Sequence, residues 1–174
     1  TVHFGTVRTG KNGDVQLDNG NMMKSTQLLH SFWNVQKNLM RLVQKSAVEN
    51  GLSVPQYSIL MVMKQTKEMT QKNVGERTFI PKSTLSQAVD GLVREGMINR
   101  QQVEGNRRET MLSVTEKGQE LIKMIHLQDG GIHQILQSAV EVLSGSQFEE
   151  LLGTHHQITT YLETQVPDLG ECTK

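Results

Sequence analysis

Between residues 81 and 95 apolar side chains recur at spacings of three and four. Leu85, Ala88, Val89, Leu92 and Val93 form the stripe, while Lys82, Ser83, Thr84, Ser86, Gln87 and Asp90 fill the remaining positions. This period predicts an amphipathic helix. Pro81 suits its first helical position and Gly96 stops it. Residues 97–103 then alternate Met97, Asn99, Gln101 and Val103 against Ile98, Arg100 and Gln102, as a short strand would. Residues 110–114 read as the returning strand, with EGNRRE between as the turn. Gly105, Asn106, Arg107 and Arg108 therefore fall at or near a hairpin tip.

Upstream, Leu28, Leu29, Phe32, Trp33, Val35, Leu39, Leu42, Val43 and Ala47 predict one long helix from Met22 to about Asn50-Gly51. It is apolar on more than one face, which asks for cover beyond one small lobe. Ser53 is placed to cap a second helix opened by Pro55 and carrying Tyr57, Ile59, Leu60, Val62 and Met63. Thr70 is placed to cap a short third helix around Val74. Beyond Thr115 and Gly118 a helical pattern runs to residue 140, with Gly130-Gly131 inviting a kink or a break. A last helix, capped at Ser146, turns Phe148, Leu151, Leu152, Ile158, Tyr161 and Leu162 inward before Pro167 ends it.

Two helices followed by a third with a polar face, and then a hairpin with a basic tip, make a winged helix-turn-helix. Such a unit offers a helix to the major groove and a hairpin to phosphates or the minor groove. Ser83, Thr84, Ser86 and Gln87 are short polar groups able to bond base edges, and Lys82 suits a phosphate. Arg107 and Arg108 suit a narrow minor groove or a phosphate clamp. A solvated Ser/Thr-rich surface and an ordinary turn are the competing readings of the same residues.

From residue 25 to 165 the ordered pattern resembles the multiple-antibiotic-resistance regulator (MarR) family of bacterial transcription factors. LSVPQYSILMVM resembles the family's second helix, TQKNVGER its third, PKSTLSQAVDGLVREGMI its recognition helix and first strand, and NRRETMLSVTEKG its wing and exit. Two positions depart from the family pattern. Asn106 stands where members carry an Asp two residues before the wing arginine, and Phe79 where the turn usually has Gly. The second swap disfavours a tight left-handed turn there.

The resemblance implies a mainly α fold with a small β-hairpin wing, and N- and C-terminal dimerisation helices. By this reading residues 1–21 are a flexible N-terminal arm, 22–51 and 119–166 the helical dimerisation region, 52–118 the DNA-binding region and 167–174 a tail. It also implies a homodimer on a pseudo-palindromic operator of double-stranded DNA, acting as a repressor by default. A small aromatic or phenolic effector would lodge between the dimerisation helices and the reading lobe. His30, Trp33, Asn34, Tyr57, Met61 and His126 are the candidate lining, with ordinary core packing as their alternative.

Charge and composition narrow the choice further. Eighteen Lys and Arg balance eighteen Asp and Glu, but residues 64–108 hold nine of the basic and five of the acidic groups. The excess of four positive charges there leaves the rest of the chain equally negative, which favours DNA over a winged-helix protein-interaction module. Aromatic residues are only 4%, so the nine methionines are expected to help fill the interior. No secretory pattern or bilayer-length apolar run is present, and a cytoplasmic location is expected. Cys172 is the single cysteine, near the end of the chain, and no redox role is assigned to it. His126 and His133 lie seven apart across the glycines, and His155 adjoins His156, spacings that do not make a compact metal site. No nucleophile or phosphate-loop motif points to an enzyme, and no cofactor is expected.

Overall fold

The computed structural model describes residues 19–103 and 105–165, apart from the side chains of Asn19, Arg107 and Arg108. Among the described residues seven helices and three strands run α1 (Asn19–Glu49), α2 (Val54–Met63), β1 (Glu68–Thr70), α3 (Gln71–Thr78), α4 (Lys82–Arg94), β2 (Ile98–Val103), β3 (Asn106–Val114), α5 (Glu116–Leu127), α6 (Ile132–Glu141) and α7 (Gly145–Gln165). The chain separates into two units, residues 1–42 and 43–174. The arm expected over residues 1–21 lies largely outside the described residues, but 19–21 already belong to α1, which starts three residues before Met22. Pro167 and Cys172 also lie outside them.

Local chemistry sets most element ends. Ser53 Oγ accepts from Gln56 N at 3.3 Å while Gln56 Oε1 accepts from Ser53 N at 2.9 Å, a reciprocal capping box at the start of α2. Thr70 Oγ1 accepts from Asn73 N at 3.2 Å and starts α3. Pro81 precedes α4 as its N-cap rather than as its first helical residue. The last helix is capped by Ser144, not Ser146: Ser144 Oγ accepts from Gln147 N at 3.2 Å, and Gln147 Oε1 returns the bond to Ser144 N. Gly130, at φ +66°, sits in a full break between α5 and α6.

The strands form one antiparallel sheet in the order β1-β3-β2. Sequence pattern missed β1, whose three residues pair Met69 with Leu112 and Thr70 with Met111. In the hairpin Ile98 faces Val114 and Val103 faces Asn106, with a bulge at Gln102/Val103. β3 is longer than expected, so the backbone of Arg107 and Arg108 lies within it, just past the turn at Gly105.

The core collects the apolar stripes of α2, α4 and α5 with the inner face of the sheet. Ile59, Leu60, Met63, Leu92, Ile98, Leu112 and Ile125 are essentially inaccessible. The α4 stripe packs as read, with Leu85, Ala88, Val89 and Leu92 buried and Val93 partly so. Methionine contributes less than its abundance suggests. Only Met63 and Met69 are buried, while Met22, Met23, Met40 and Met124 are exposed.

The junction of the wing with α5 explains the VTEKG segment. Thr115 Oγ1 accepts from Gly118 N at 3.1 Å, capping α5, and also lies 2.7 Å from the Gly96 carbonyl. Thr115 N donates to the Met97 carbonyl at 3.0 Å. A Cβ on Gly118 would fall well inside van der Waals contact of that same Met97 oxygen, so the helix can approach this closely only without a side chain.

Phe79 overturns one expectation. It ends α3 at φ 54°, ψ 24°, so the left-handed turn forms without glycine. Its N–H donates to the Gly75 carbonyl at 2.9 Å, while its side chain is 91% exposed. A non-glycine residue in this region carries about 1–2 kcal/mol of strain.

The inward packing expected for α7 does not occur among the described residues. Neither α6 nor α7 contains a buried residue. Leu151, Leu152, Tyr161 and Leu162 are all more than two-fifths exposed. Along α1, Leu28, Leu29 and Trp33 are exposed as well.

Candidate nucleic-acid interface

At the N-terminal end of α4, Lys82, Ser83 and Gln87 are exposed and Thr84 is half-buried. Ser86 is drawn toward α3, where its hydroxyl accepts a 3.4 Å bond from Gln71 Nε2. This ties the two helices of the motif together and leaves Ser86 less free for an outside partner than Ser83 or Gln87. α4 differs from α2, α3 and α5 at its start: Pro81 supplies no side-chain acceptor. The N–H groups of its first turn are therefore open to solvent or to an anion, aligned with the positive end of the helix dipole.

Beside this helix end runs a groove of about 750 Å³ whose lining includes Gln71, Lys72, Lys82, Leu85, Asn106 and Thr110. α3 forms one wall and the start of β3 another. Lys72 was not singled out in the sequence because nothing local distinguishes it from any exposed helical lysine. It lies 3.7 Å from Glu76 in an exposed i,i+4 pair, which water screens. Asn106 Nδ2 donates to Glu109 Oε2 at 3.2 Å, bracing the first residues of β3. The side chains of Arg107 and Arg108 lie outside the described residues.

Positive charge is also trimmed on the first wing strand. Arg100 on β2 donates from Nη1 to Asp90 Oδ1 at 2.6 Å, both side chains being about half exposed. Among the described residues no such ion pair involves Lys82 or Arg94.

The residues proposed as an effector lining are spread over both units. In the first, the rings of His30 and Trp33 lie with centroids 5.9 Å apart, and Asn34 accepts through its backbone carbonyl from Asn38. In the second, Tyr57 is buried in the core, and burial raises its phenol pKa despite a hydrogen bond with Ser46. Met61 packs against the same core. His126 is exposed, and its Nδ1 accepts from Lys64 Nζ at 2.8 Å. With Lys64, Lys67 and Lys123 it lines a cleft of about 230 Å³ floored by Met63 and Ile122.

Across the α5–α6 break His126 and His133 come together. Their ring centroids are 4.2 Å apart. Burial first, then the neighbouring His126 and Lys64, hold His133 below the usual imidazole range. Among the described residues no cluster of three or more His, Cys, Asp or Glu could hold a metal ion. No described helix is long and apolar enough to cross a membrane.

Comparison with known proteins agrees with this architecture. Residues 50–109 match the model of the MarR family. The HTH-type transcriptional regulator SarZ of Staphylococcus epidermidis is 27% identical over 101 residues, 58% of this chain and 68% of that protein. The crystal structure of AbfR of Staphylococcus epidermidis superimposes with a TM-score of 0.68 at 17% identity, covering 83% of this chain and 96% of that one. A structure of reduced AbfR bound to DNA gives 0.58 at 17% identity over 84% and 99%. NadR in complex with 4-hydroxyphenylacetate gives 0.64 at 13% identity over 87% and 96%. The segment that matches the family model spans α2 through the first residues of β3, and so includes α4 and the turn of the hairpin. Over that segment and in its fold, the chain is similar to the MarR family of winged-helix transcriptional regulators.

Proposed function

We propose that this chain binds duplex DNA in the cytoplasm as a homodimer, represses by occupying a pseudo-palindromic operator, and is released by a small-molecule effector. The observation that carries the DNA reading is the start of α4. Its exposed Lys82, Ser83 and Gln87 and its uncapped N–H groups stand beside a groove flanked by Lys72 and Lys82. A phosphate strand in that groove would meet Lys72, Lys82 and the helix dipole, with the lining carboxylate of Glu109 engaged by Asn106, while the polar side chains of α4 reach base edges. Arg107 and Arg108 are assigned to the wing contact on their place at the start of β3.

The apolar residues of α1, α6 and α7 left exposed in the single chain support a second copy as their cover. Effector control is supported by the neighbour solved with 4-hydroxyphenylacetate. In this chain the lysine-rimmed cleft beside His126 suits a compact phenolate or carboxylate with an apolar body.

The test is binding to random duplex and to heparin across a salt series, followed by selection of bound fragments from random DNA. A DNA reader binds both polyanions with a steep salt slope and enriches a symmetric sequence. A flat slope with no enriched sequence would favour the protein-interaction module instead.

A further inference from the structure

Phe79 combines a left-handed backbone, which ends α3 and favours glycine, with a ring that is 91% exposed. Were the ring needed for packing, it would be buried. Were only the turn needed, glycine would serve it with less strain. The backbone beneath the ring is well held: Phe79 N bonds Gly75 O, Ile80 packs against the core, and Pro81 fixes the start of α4. An aromatic group carried on such a rigid turn loses little conformational freedom when a partner covers it. Its place, three residues before Lys82, puts it at the end of α4 that the proposed function directs into the major groove.

We propose that Phe79 is a specificity-determining residue that packs its ring on a thymine C5-methyl group in each half of the operator. This rests on the DNA reading above. The major groove offers one strongly apolar feature, the thymine methyl, and phenylalanine is a side chain suited to it. On α4 the exposed Ser83 and Gln87 offer only hydrogen-bonding groups, and the one methyl among the proposed contacts, on Thr84, belongs to a half-buried side chain.

The test runs two selections from random duplex, with the wild-type chain and with Phe79→Gly. Binding of each protein to the wild-type operator is then measured with thymines replaced, one symmetric pair at a time, by deoxyuridine. The wild type is expected to enrich a symmetric thymine that the variant does not. Removing those methyls should weaken wild-type binding about fourfold for one half-site and roughly fifteenfold for both. Phe79→Gly should be indifferent to the methyls, keep the same salt slope, and melt about 2–4 °C higher because the turn is relieved. Retained methyl sensitivity in the variant, no sensitive thymine in the wild type, or a lower melting temperature would each overturn the proposal while leaving DNA binding intact. Absence of any duplex binding by the wild type would overturn the DNA reading, and this contact with it.

Discussion

Arg100 and Asp90 clasp the first wing strand to the outer face of α4, Nη1 to Oδ1 at 2.6 Å. The pair is exposed enough that water screens it, so its worth to folding is at most about 1 kcal/mol. Its larger effect is on the field, because it cancels a positive charge next to the proposed reading face. Asp90→Asn should therefore bind random duplex more tightly and steepen the salt slope by about 0.9 per bound copy. Stability should change by no more than about 0.5 kcal/mol. An unchanged slope would mean that Arg100 points away from phosphate.

The wing arginines carry a separate expectation. Converting Arg107 and Arg108 to Ala should weaken all duplexes similarly and lower the salt slope by about 2 per copy if each arginine neutralises one phosphate. Gln87→Ala, in contrast, should relax base preference at one position of each half-site while leaving the slope alone. Filter binding at several salt concentrations separates the two behaviours.

Gly118→Ala tests the packing of α5 on the end of α4. A methyl group there collides with the Met97 carbonyl, which is backbone and cannot step aside like a flexible side chain. The expected loss is about 2 kcal/mol or more, a fall of roughly 4–8 °C in melting temperature. A variant that melts within a degree of the wild type would show that α5 can slide.

His133 gives a pH dependence with a defined sign. Its folded-state pKa lies below the ordinary 6.5, because burial, His126 and Lys64 all disfavour its charged form. The unfolded chain thus binds more protons in the window just below 6.5, and stability is lost as pH falls through it. The wild type should lose more melting temperature between about pH 7.5 and about pH 5.5 than His133→Gln. Equal losses would remove His133 as the source.

Association is the fifth expectation. Light scattering at micromolar concentration should give twice the mass of the chain. Leu152→Glu with Leu162→Glu, at positions 49% and 53% exposed in the single chain, should give one chain mass. Operator affinity should then fall about a hundredfold, as the two half-sites cease to be linked. A monomeric wild type would contradict the homodimer outright.

What the sequence made legible was local. Ser53 and Thr70 cap as their side chains dictate, and the α4 stripe packs at the period its spacing announces. β1 was hidden because Glu68–Thr70 becomes a strand only by pairing with β3, some forty residues away. Ser144 and Ser146 look equally able to cap, and only the reciprocal bond from Gln147 selects the first. Phe79 defied its own preference because the bond to Gly75 and the packed Ile80 hold the turn on either side. Lys72 carries no signal until α3 is set beside the groove.

The Met97 joint reaches further than its size suggests. Met97 N bonds the Leu92 carbonyl near the end of α4, and Met97 O receives Thr115 at the head of α5, so one residue couples two helices without slack. From there to the far end of α4 is roughly 20 Å. A tilt of about five degrees in α5 would swing that end by roughly 2 Å, more than a base-edge hydrogen bond tolerates. Under the proposed effector control, leverage of this kind would let a small push at the rear decide whether the front can read.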